Sequence, residues 1–229
     1  MKNLTVGRGR TVRIGPWRGD DEVATISTFI DQRLDHDAVS KVVSALSERG
    51  YQRTITAALA AEEHQAFVEN GFEPLRHLTL LRRTLDTPIP KAQVRARRWR
   101  RQQFNQVLDI DHDAFEPFWR FDETALREAL DATPHRVLRV DSTVNPTGYA
   151  LSGVARGSAY LQRLAVRPDA AGSGLGTALL LDALRWMRWR GANFAFVNTQ
   201  HDNHRALDLY RRHGFEAEPE GLTIFQRDL

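Results

Sequence analysis

A glycine-rich loop at residues 171–176 is the part of this sequence whose residue types and spacing best suit the binding of an anion. Glycines stand at 172, 174 and 176, directly before an apolar helical pattern. Glycine lacks a Cβ and readily adopts positive φ, so the backbone N–H groups of such a loop stay accessible. The free N–H groups and the positive dipole end of the following helix would face the same place. The loop therefore predicts an anion site, most often one for phosphate.

Two common nucleotide-binding loops do not match this segment. A Walker loop ends in Lys-Ser or Lys-Thr, and neither pair follows the glycines. A dinucleotide-binding loop is followed by an acidic residue after the next strand, whereas that strand closes here as Val197-Asn198-Thr199. The loop alone therefore does not identify its ligand.

A tyrosine, Tyr210, supplies a second chemical group, because a phenol can donate a proton to a leaving group. It stands in an Asn-x-x-Ala-x-x-Leu-Tyr-x-x-x-Gly-Phe segment, whose matched residues are Asn203, Ala206, Leu209, Tyr210, Gly214 and Phe215. Together with strand-like runs at 160–166 and 194–197 and the glycine loop between them, this segment resembles the GCN5-related N-acetyltransferase (GNAT) superfamily. The resemblance covers residues 92–229.

The corresponding loop of that superfamily reads Arg/Gln-x-x-Gly-x-Gly/Ala. Gly174 and Gly176 match it, and Ala171 stands where Arg or Gln is usual. This departure removes a long side chain but no backbone N–H, so we expect the phosphate cradle to persist. The resemblance implies that acetyl-CoA binds, without any metal ion, at Leu164, Ala165, Val166, Ala171, Gly172, Ser173, Gly174, Leu175, Gly176, Thr177, Asn203 and Tyr210.

The resemblance also implies an α/β (α+β) fold, in which a mixed central sheet is flanked by helices. The implied activity is acetyl transfer from acetyl-CoA to an amine, and the acceptor is left open among protein N-termini, lysines and small-molecule amines. In the superfamily, a backbone N–H near Leu164 stabilises the oxyanion and the residue at Tyr210 is the general acid. The alternative function is that of a non-catalytic acyl-CoA-binding sensor or scaffold.

The general base is the one role for which the sequence offers no matching residue. The superfamily commonly places a Glu on either central strand, but these positions are Gln162 and Asn198. Three explanations stay open: a water chain oriented by these amides, a poorly basic acceptor amine, or a carboxylate from elsewhere. The carboxylate candidates are Asp109, Asp111, Asp113 and Glu116, and the histidine candidates are His112 and His201.

Residues 1–88 are interpreted as a partial, degenerate second copy of the same unit. Three features recur in the same order in both halves: Arg49-Gly50 with Arg190-Gly191, Gly71-Phe72 with Gly214-Phe215, and Leu78–Leu85 with Leu222–Leu229. This recurrence predicts an internal duplication. The predicted domains are a degenerate lobe at 1–88 and a catalytic domain at 92–229.

The first copy lacks the chemical groups of the second. Alignment on the Arg-Gly pairs places Asp31, Arg33 and Asp35 at the three glycine positions, where two carboxylates would repel a pyrophosphate. Counting back from the Gly-Phe pairs places Phe67 opposite Tyr210, so the hydroxyl is missing. We therefore expect residues 1–88 to bind no coenzyme A.

Several predicted elements must position the site. A helix at 103–115 precedes an aromatic segment at 115–121, which is either a wall of the acceptor site or part of the core. A hairpin at 136–140 and 148–153 leads into the strand before the glycine loop. The buried stripe of the helix after the loop consists of Leu180, Ala183, Leu184 and Met187.

A basic run extends from Lys91 to Arg101. It could bind nucleic acid or the 3′-phosphate of coenzyme A. Alternatively, it is the solvated face of a first strand at 94–99. The second interpretation is favoured, because no RNA-binding signature follows the run.

The composition of the 229 residues is that of an ordinary globular protein, with 41% hydrophobic and 27% charged residues and a net charge of +3. The absence of cysteine excludes disulfides, thiolate metal sites and a cysteine nucleophile. No apolar run is long enough for a membrane span, and the N-terminus lacks the apolar core of a signal peptide. The expected location is therefore cytoplasmic, the expected state is a monomer or homodimer, and nucleic acid is not an expected partner.

Overall fold

The computed structural model describes residues 2–28, 32–92 and 96–229. In these ranges the strands are β1 (Lys2–Val6), β2 (Arg10–Trp17), β3 (Asp20–Thr28), β4 (Arg53–Thr56), β5 (Glu73–Thr84), β6 (Ala96–Arg98), β7 (His135–Asp141), β8 (Gly148–Ala155), β9 (Ser158–Val166), β10 (Phe194–Gln200), β11 (Glu216–Ala217) and β12 (Leu222–Asp228). The α-helices are α1 (His36–Ser47), α2 (Ala61–Val68), α3 (Phe104–Ala114), α4 (Glu123–Asp131), α5 (Leu175–Trp189) and α6 (His204–Arg212). Mixed sheets flanked by helices confirm the predicted fold class.

The described residues form two compact units. The first unit takes its residues from Met1–Leu80, Asn198–Asn203 and Ala217–Leu229. The second takes them from Leu81–Val197 and His204–Glu216. The predicted division into 1–88 and 92–229 stays a prediction. In the described part of the chain, no helix is long and apolar enough to cross a membrane.

The sheet of the second unit has the strand order β10-β9-β8-β7-β6. Its central strand, β8, is buried along its whole length. Alternate residues of a strand point to opposite faces, so Ala150 and Val154 join the core built with α5, whereas Tyr149 and Leu151 join the core built with α3 and α4. The antiparallel pairing of β7 with β8 confirms the predicted hairpin.

Helix α5 covers one face of this sheet. Its predicted stripe is confirmed, because Leu180, Ala183, Leu184 and Met187 are all buried. Gly191 follows the helix with a φ of +78°, a conformation that suits glycine at a helix C-terminus. The N-terminus of the helix lies beside the end of β9, next to the glycine loop.

Strand β9 carries an additional residue. Leu151 pairs with Arg163 and Ser152 pairs with Leu161, so Gln162 is a β-bulge. A bulge bends the strand and increases its twist. Strand β10 runs parallel to β9 but pairs with it only at residues 158–160. Within the described residues of the second unit, the rest of β9 has no strand partner on that side.

The first unit has the strand order β1-β2-β3-β4-β12-β5 and a core of its own. Its core includes the C-terminal strand, because Phe225 of β12 is 2% exposed and its backbone N–H donates to Thr56 Oγ1 over 2.9 Å. In both units, three antiparallel strands lead through a helix to a strand parallel to the third. A second helix then follows in each case.

Some elements differ from the sequence-based expectations. Strands β1 to β3 and helix α4 were not predicted, and β5 begins five residues before the predicted Leu78. The aromatic segment contains a 3₁₀ turn at Pro117–Trp119. Of the predicted strand at 94–99, residues 94 and 95 lie outside the described residues, and β6 covers 96–98.

We predict that Phe225→Ala destabilises the protein by about 3–5 kcal/mol, because it leaves a cavity in the core of the first unit. Urea-induced unfolding measures this change. Trp189→Ala is the control: Trp189 is 75% exposed, so its removal should change the free energy of unfolding by no more than about 0.5 kcal/mol. A loss for Phe225→Ala as small as that of the control would contradict a structural role for β12.

Candidate active site

The glycine loop precedes α5 and has the open geometry that its sequence predicted. Gly172 and Gly174 have φ values of +80° and +81°. A Cβ added at either position would meet no atom within 4 Å. The space above the loop is therefore open, and positive φ at both positions explains why glycine stands there.

The N-terminus of α5 leaves several backbone donors available. Its first internal hydrogen bond runs from the N–H of Ala178 to the carbonyl of Gly174. The N–H groups before it have no helical partner, and that of Leu175 makes only a long 3.4 Å contact to Ser173 Oγ. These donors and the helix dipole together fit an anion.

The predicted binding segments meet at Gly176. A Cβ added there would lie 3.7 Å from Leu209 of α6 and 3.8 Å from Val166 of β9. These are ordinary van der Waals distances, which is consistent with a Gly/Ala position in the loop. The end of β9, the start of α5 and the helix that carries Tyr210 therefore converge on one place.

A cavity of about 650 Å³ lies beside the loop. It is lined by Arg83, Pro90, Lys91, Ser173, Gly174, Thr177, Ala178, Leu181, Arg212, His213 and Gly214. Three of these residues are cationic: Arg83, Lys91 and Arg212. Positive side chains around open backbone N–H groups favour a polyanion.

The basic run is divided among different environments. Lys91 lines this cavity, whereas Arg97 donates to Gln103 Oε1 over 2.9 Å. Arg98 and Arg101 line a different cavity. Arg95 lies outside the described residues. The described residues of the run are therefore not one continuous patch, and among them Lys91 lines the cavity beside the glycine loop.

Tyr210 lies on α6 with only 5% of its surface exposed. Its ring packs against Phe215, with a centroid separation of 5.6 Å. In the described part of the chain its hydroxyl makes no hydrogen bond and is not enclosed. Burial raises the pKa of Tyr210, and the charge of Arg163 opposes this only in part. The hydroxyl is therefore protonated at neutral pH and can act as a donor.

The other predicted residues of β9 occupy both faces of the sheet. Leu164 and Val166 pack against the core of α5, whereas Ala165 is buried in the core of α3 and α4. Gln162 lies at the bulge between them, and its Oε1 is enclosed without a hydrogen-bond partner in the described residues. Buried polar atoms without a partner are uncommon in native proteins.

Asn198 and Asn203 belong to the segment Asn198–Asn203 of the first unit. Asn198 is exposed on β10. The Nδ2 of Asn203 lies 3.4 Å from Gln200 Oε1. Their roles at the site stay predictions.

The carboxylate candidates for the general base differ in the hydrogen bonds and ion pairs that they make. Asp111 is fully buried and accepts hydrogen bonds from Arg163, Tyr149 and Phe121. These donors occupy both of its oxygens, so Asp111 is not a free base. Asp113 pairs with Arg167 at 2.9 Å.

The remaining candidates are at the surface. Asp109 and Glu116 are exposed, and so is His201, which lies in the first unit. The Nε2 of His112 lies 2.8 Å from the carbonyl of Phe121. No group of three or more acidic or histidine side chains in 2–28, 32–92 and 96–229 could hold a metal ion.

The aromatic segment is arranged around Arg163, a residue that the sequence reasoning did not single out. Arg163 Nε and Nη2 bind the carboxylate of Asp111 at 2.7 and 2.8 Å. Nη2 also donates to the carbonyl of Trp119 over 2.5 Å. The guanidinium lies between the rings of Phe115 and Phe121, with its Cζ 3.5 and 4.1 Å from their centroids. The available signal was one arginine within an otherwise uncharged strand.

The first unit lacks an open helix N-terminus at its corresponding helix. Asp35 caps α1, because its carboxylate accepts the N–H of Ala38 at 3.0 Å. This carboxylate occupies the place that a bound anion would take. Phe67 is 1% exposed and packs against Phe72. Asp31, the other predicted acid, lies outside the described residues.

Comparison with known proteins gives a family and a fold. The profile of the Acetyltransferase (GNAT) family matches residues 98–215, slightly more than half of the chain. A mycothiol acetyltransferase of Saccharomonospora viridis is 46% identical over 52 residues, which are 23% of this chain and 17% of that protein. A putative ribosomal-protein alanine N-acetyltransferase of Bacillus subtilis is 23% identical over 132 residues, 58% of this chain and 85% of that protein. A tandem GNAT protein from the clavulanic acid biosynthesis pathway superposes with a TM-score of 0.64 at 13% identity, covering 97% of this chain and 80% of that one.

We predict that Gly174→Asp abolishes binding of acetyl-CoA, because it places a carboxylate among the open backbone donors. Titration calorimetry measures the binding. Gly191→Asp is the matched control, because Gly191 also has a positive φ and free space around it but lies at the other end of α5. Full-strength binding by Gly174→Asp, or equal losses in both variants, would contradict the assignment of the loop.

Proposed function

Because the chain belongs to the Acetyltransferase (GNAT) family, we propose that it transfers the acetyl group of acetyl-CoA to an amine. The observation that carries this proposal is the convergence at Gly176 of an open helix N-terminus, the unpaired end of β9 and the helix of Tyr210. An anion cradle next to a protonated phenol suits a substrate that has both phosphates and a leaving thiolate.

In the proposed reaction, the lone pair of the amine attacks the thioester carbonyl carbon. The carbonyl oxygen becomes an oxyanion, which a backbone N–H near Leu164 stabilises. The carbon–sulfur bond then breaks, and Tyr210 donates its proton to the leaving thiolate. The amine loses its additional proton to water, and the phenolate of Tyr210 takes a proton back from water.

The loop and its cavity would hold the phosphates of acetyl-CoA. The backbone N–H groups from Gly172 to Thr177 bind the pyrophosphate in this proposal. Lys91 and Arg212 add positive charge beside it. Residues Leu164 to Val166 line the path of the pantetheine chain.

The missing carboxylate leaves two routes for proton removal. Asp111 is engaged by its partners, and positions 162 and 198 are amides. We propose that a water molecule takes the proton, or that the acceptor amine is already neutral in part. Either route operates without a carboxylate base at these positions.

We further propose that residues 1–88 are a degenerate copy of the catalytic domain, 92–229. In each copy, an aromatic residue near the end of a helix packs against an aromatic residue that follows the helix. These pairs are Phe67 with Phe72 and Tyr210 with Phe215. In each, the N–H of the second ring's residue donates to the carbonyl of the first over 3.1 Å. The copies therefore share a local structure, and only the second retains the hydroxyl.

Two equivalent arginines support the duplication. Arg227 donates to the carbonyl of Asn70 at the end of α2. Arg83 donates to the carbonyl of His213 at the end of α6. Each arginine occupies the same place in one of the two recurring strand sequences, so the contact recurs as well as the sequence.

The acceptor is proposed only as a primary amine. The mycothiol acetyltransferases match over a short region, and the chain spans about a fifth of the length of these curated relatives. The alternative, an acyl-CoA-binding sensor, is favoured by the two amides at the base positions. Release of free thiol in the presence of an amine distinguishes the enzyme from the sensor.

We predict that Tyr210→Phe lowers turnover by about 10²–10⁴-fold, because it removes the proton donor and keeps the ring. Affinity for acetyl-CoA should stay unchanged, since the phosphates are held elsewhere. Steady-state thiol release and calorimetry measure the two effects. Tyr51→Phe, in the first unit, is the control and should be neutral.

The pH dependence provides a second check on Tyr210. A raised pKa means that the phenol stays protonated above its ordinary pKa of about 10. Wild-type turnover should therefore not fall between neutral pH and that value through ionisation of Tyr210. An alkaline decline that disappears in Tyr210→Phe would contradict the assigned environment.

The proposed degeneracy predicts that one acetyl-CoA binds per chain, at the second unit. Asp35 already occupies the N-terminus of α1, and its neighbour Arg10 binds that carboxylate at 2.5 Å. Calorimetric stoichiometry measures the number of sites. Two equivalent sites per chain would show that the first unit retains function.

A further inference from the structure

The guanidinium of Arg163 is buried and incompletely satisfied. Its side chain is 10% exposed, and that of its partner Asp111 is 1% exposed. An arginine has five N–H donors. Nε and Nη2 supply the three that reach Asp111 and Trp119. In the described residues, the two N–H groups of Nη1 have no partner.

Stability alone does not account for this arrangement. A buried ion pair is often no more stabilising than apolar residues of the same volume. Nη1 is not among the enclosed atoms that lack a partner, so it reaches accessible space. A ligand can therefore approach it.

Arg163 stands next to residues that the proposed reaction uses. The residue lies on β9 between the bulge at Gln162 and the predicted oxyanion site at Leu164. The rings of Phe115 and Phe121 fix the plane of the guanidinium. The free donor therefore belongs to a residue that lies between two positions used in the proposed reaction.

The missing general base narrows the chemistry of the acceptor. An amine next to a carbonyl is less basic than a lysine: an α-amino group has a pKa of about 7.7–8.0, against about 10.4 for lysine. A substantial fraction is then neutral near physiological pH and can attack without a strong base. An oxygen beside the amine would also be in reach of a neighbouring donor.

We infer that Arg163 recognises the acceptor, with Nη1 donating a hydrogen bond to a carbonyl or carboxylate oxygen next to the reacting amine. The acceptor is thus an α-amino carbonyl compound rather than an isolated alkylamine. The inference rests on the proposed acetyl transfer and names the acceptor class for that site. Asp111 acts as a positioning residue, because it holds the guanidinium in place.

The test compares two amines of similar shape, alaninamide and 2-aminobutane, as acceptors for the full-length protein. The quantity measured is the ratio of their kcat/KM values, each corrected for the neutral fraction of the amine. Arg163→Lys keeps a cation for Asp111 but removes Nη1. The ratio should favour alaninamide in the wild type and fall by about 10- to 100-fold in Arg163→Lys, as expected for loss of a hydrogen bond to a charged donor.

The control is Arg139→Lys, which alters a half-buried arginine–aspartate pair, Arg139 with Asp182 at 3.2 Å. It should leave the ratio and the KM for acetyl-CoA unchanged. Alanine as a third acceptor separates a carboxylate from a carbonyl, and a preference for either over 2-aminobutane supports the inference. Differences in intrinsic basicity cancel when variants are compared, because they are the same for every enzyme.

Two results would overturn the inference: a wild type that acetylates 2-aminobutane as well as alaninamide, or an Arg163→Lys ratio equal to that of the wild type. If Arg163→Lys fails to fold, the ratio of kcat/KM for alaninamide and 2-aminobutane in the wild type tests the inference by itself. Failure of the proposed function is distinct, since no amine, with or without the adjacent oxygen, would then release thiol from bound acetyl-CoA.

Discussion

The additional residue in β9 is the constraint on which the proposed site depends. The bulge at Gln162 bends the strand, and its pairing with β10 covers only residues 158–160. In the part of the chain that the structure describes, the N–H and carbonyl groups on that side of the remaining part of β9 have no strand partner. A continuous pairing with β10 would have used them in hydrogen bonds between the strands. The bulged residue itself is Gln162, an amide rather than a carboxylate. One local irregularity therefore leaves part of β9 unpaired with β10 and determines where this amide stands in the proposed site.

The two units show how the same helix position can be open or closed to an anion. In α5, Gly174 provides the N-cap without a side chain, so the first N–H groups stay free. In α1, Asp35 caps the helix with its own carboxylate, which is the more stabilising choice for an isolated helix. The open end in the second unit therefore gives up local stability, as functional positions commonly do.

Much of the site could be predicted because its signals are local in sequence. The glycine loop, the stripe of α5 and Tyr210 all lie within one stretch, and their spacing has a direct physical meaning. The Asp111–Arg163 pair could not be predicted, since it joins residues 52 apart through folding. The place of β12 in the first unit could not be predicted either. Its Phe225 binds Thr56, which is 169 residues away in the sequence. Strands β1 to β3 were missed because tertiary pairing overrides their weak local patterns.

The engagement of Asp111 connects the two unusual features of the site. As a carboxylate on α3 it was a reasonable base in sequence terms, but the structure uses all of its accepting capacity to hold Arg163, Tyr149 and the backbone of Phe121. Neither of its oxygens is left free to accept a proton from a substrate. In the proposed reaction, Asp111 thus holds Arg163 instead of acting as a base, and an acceptor amine that is already neutral needs no carboxylate base from the protein.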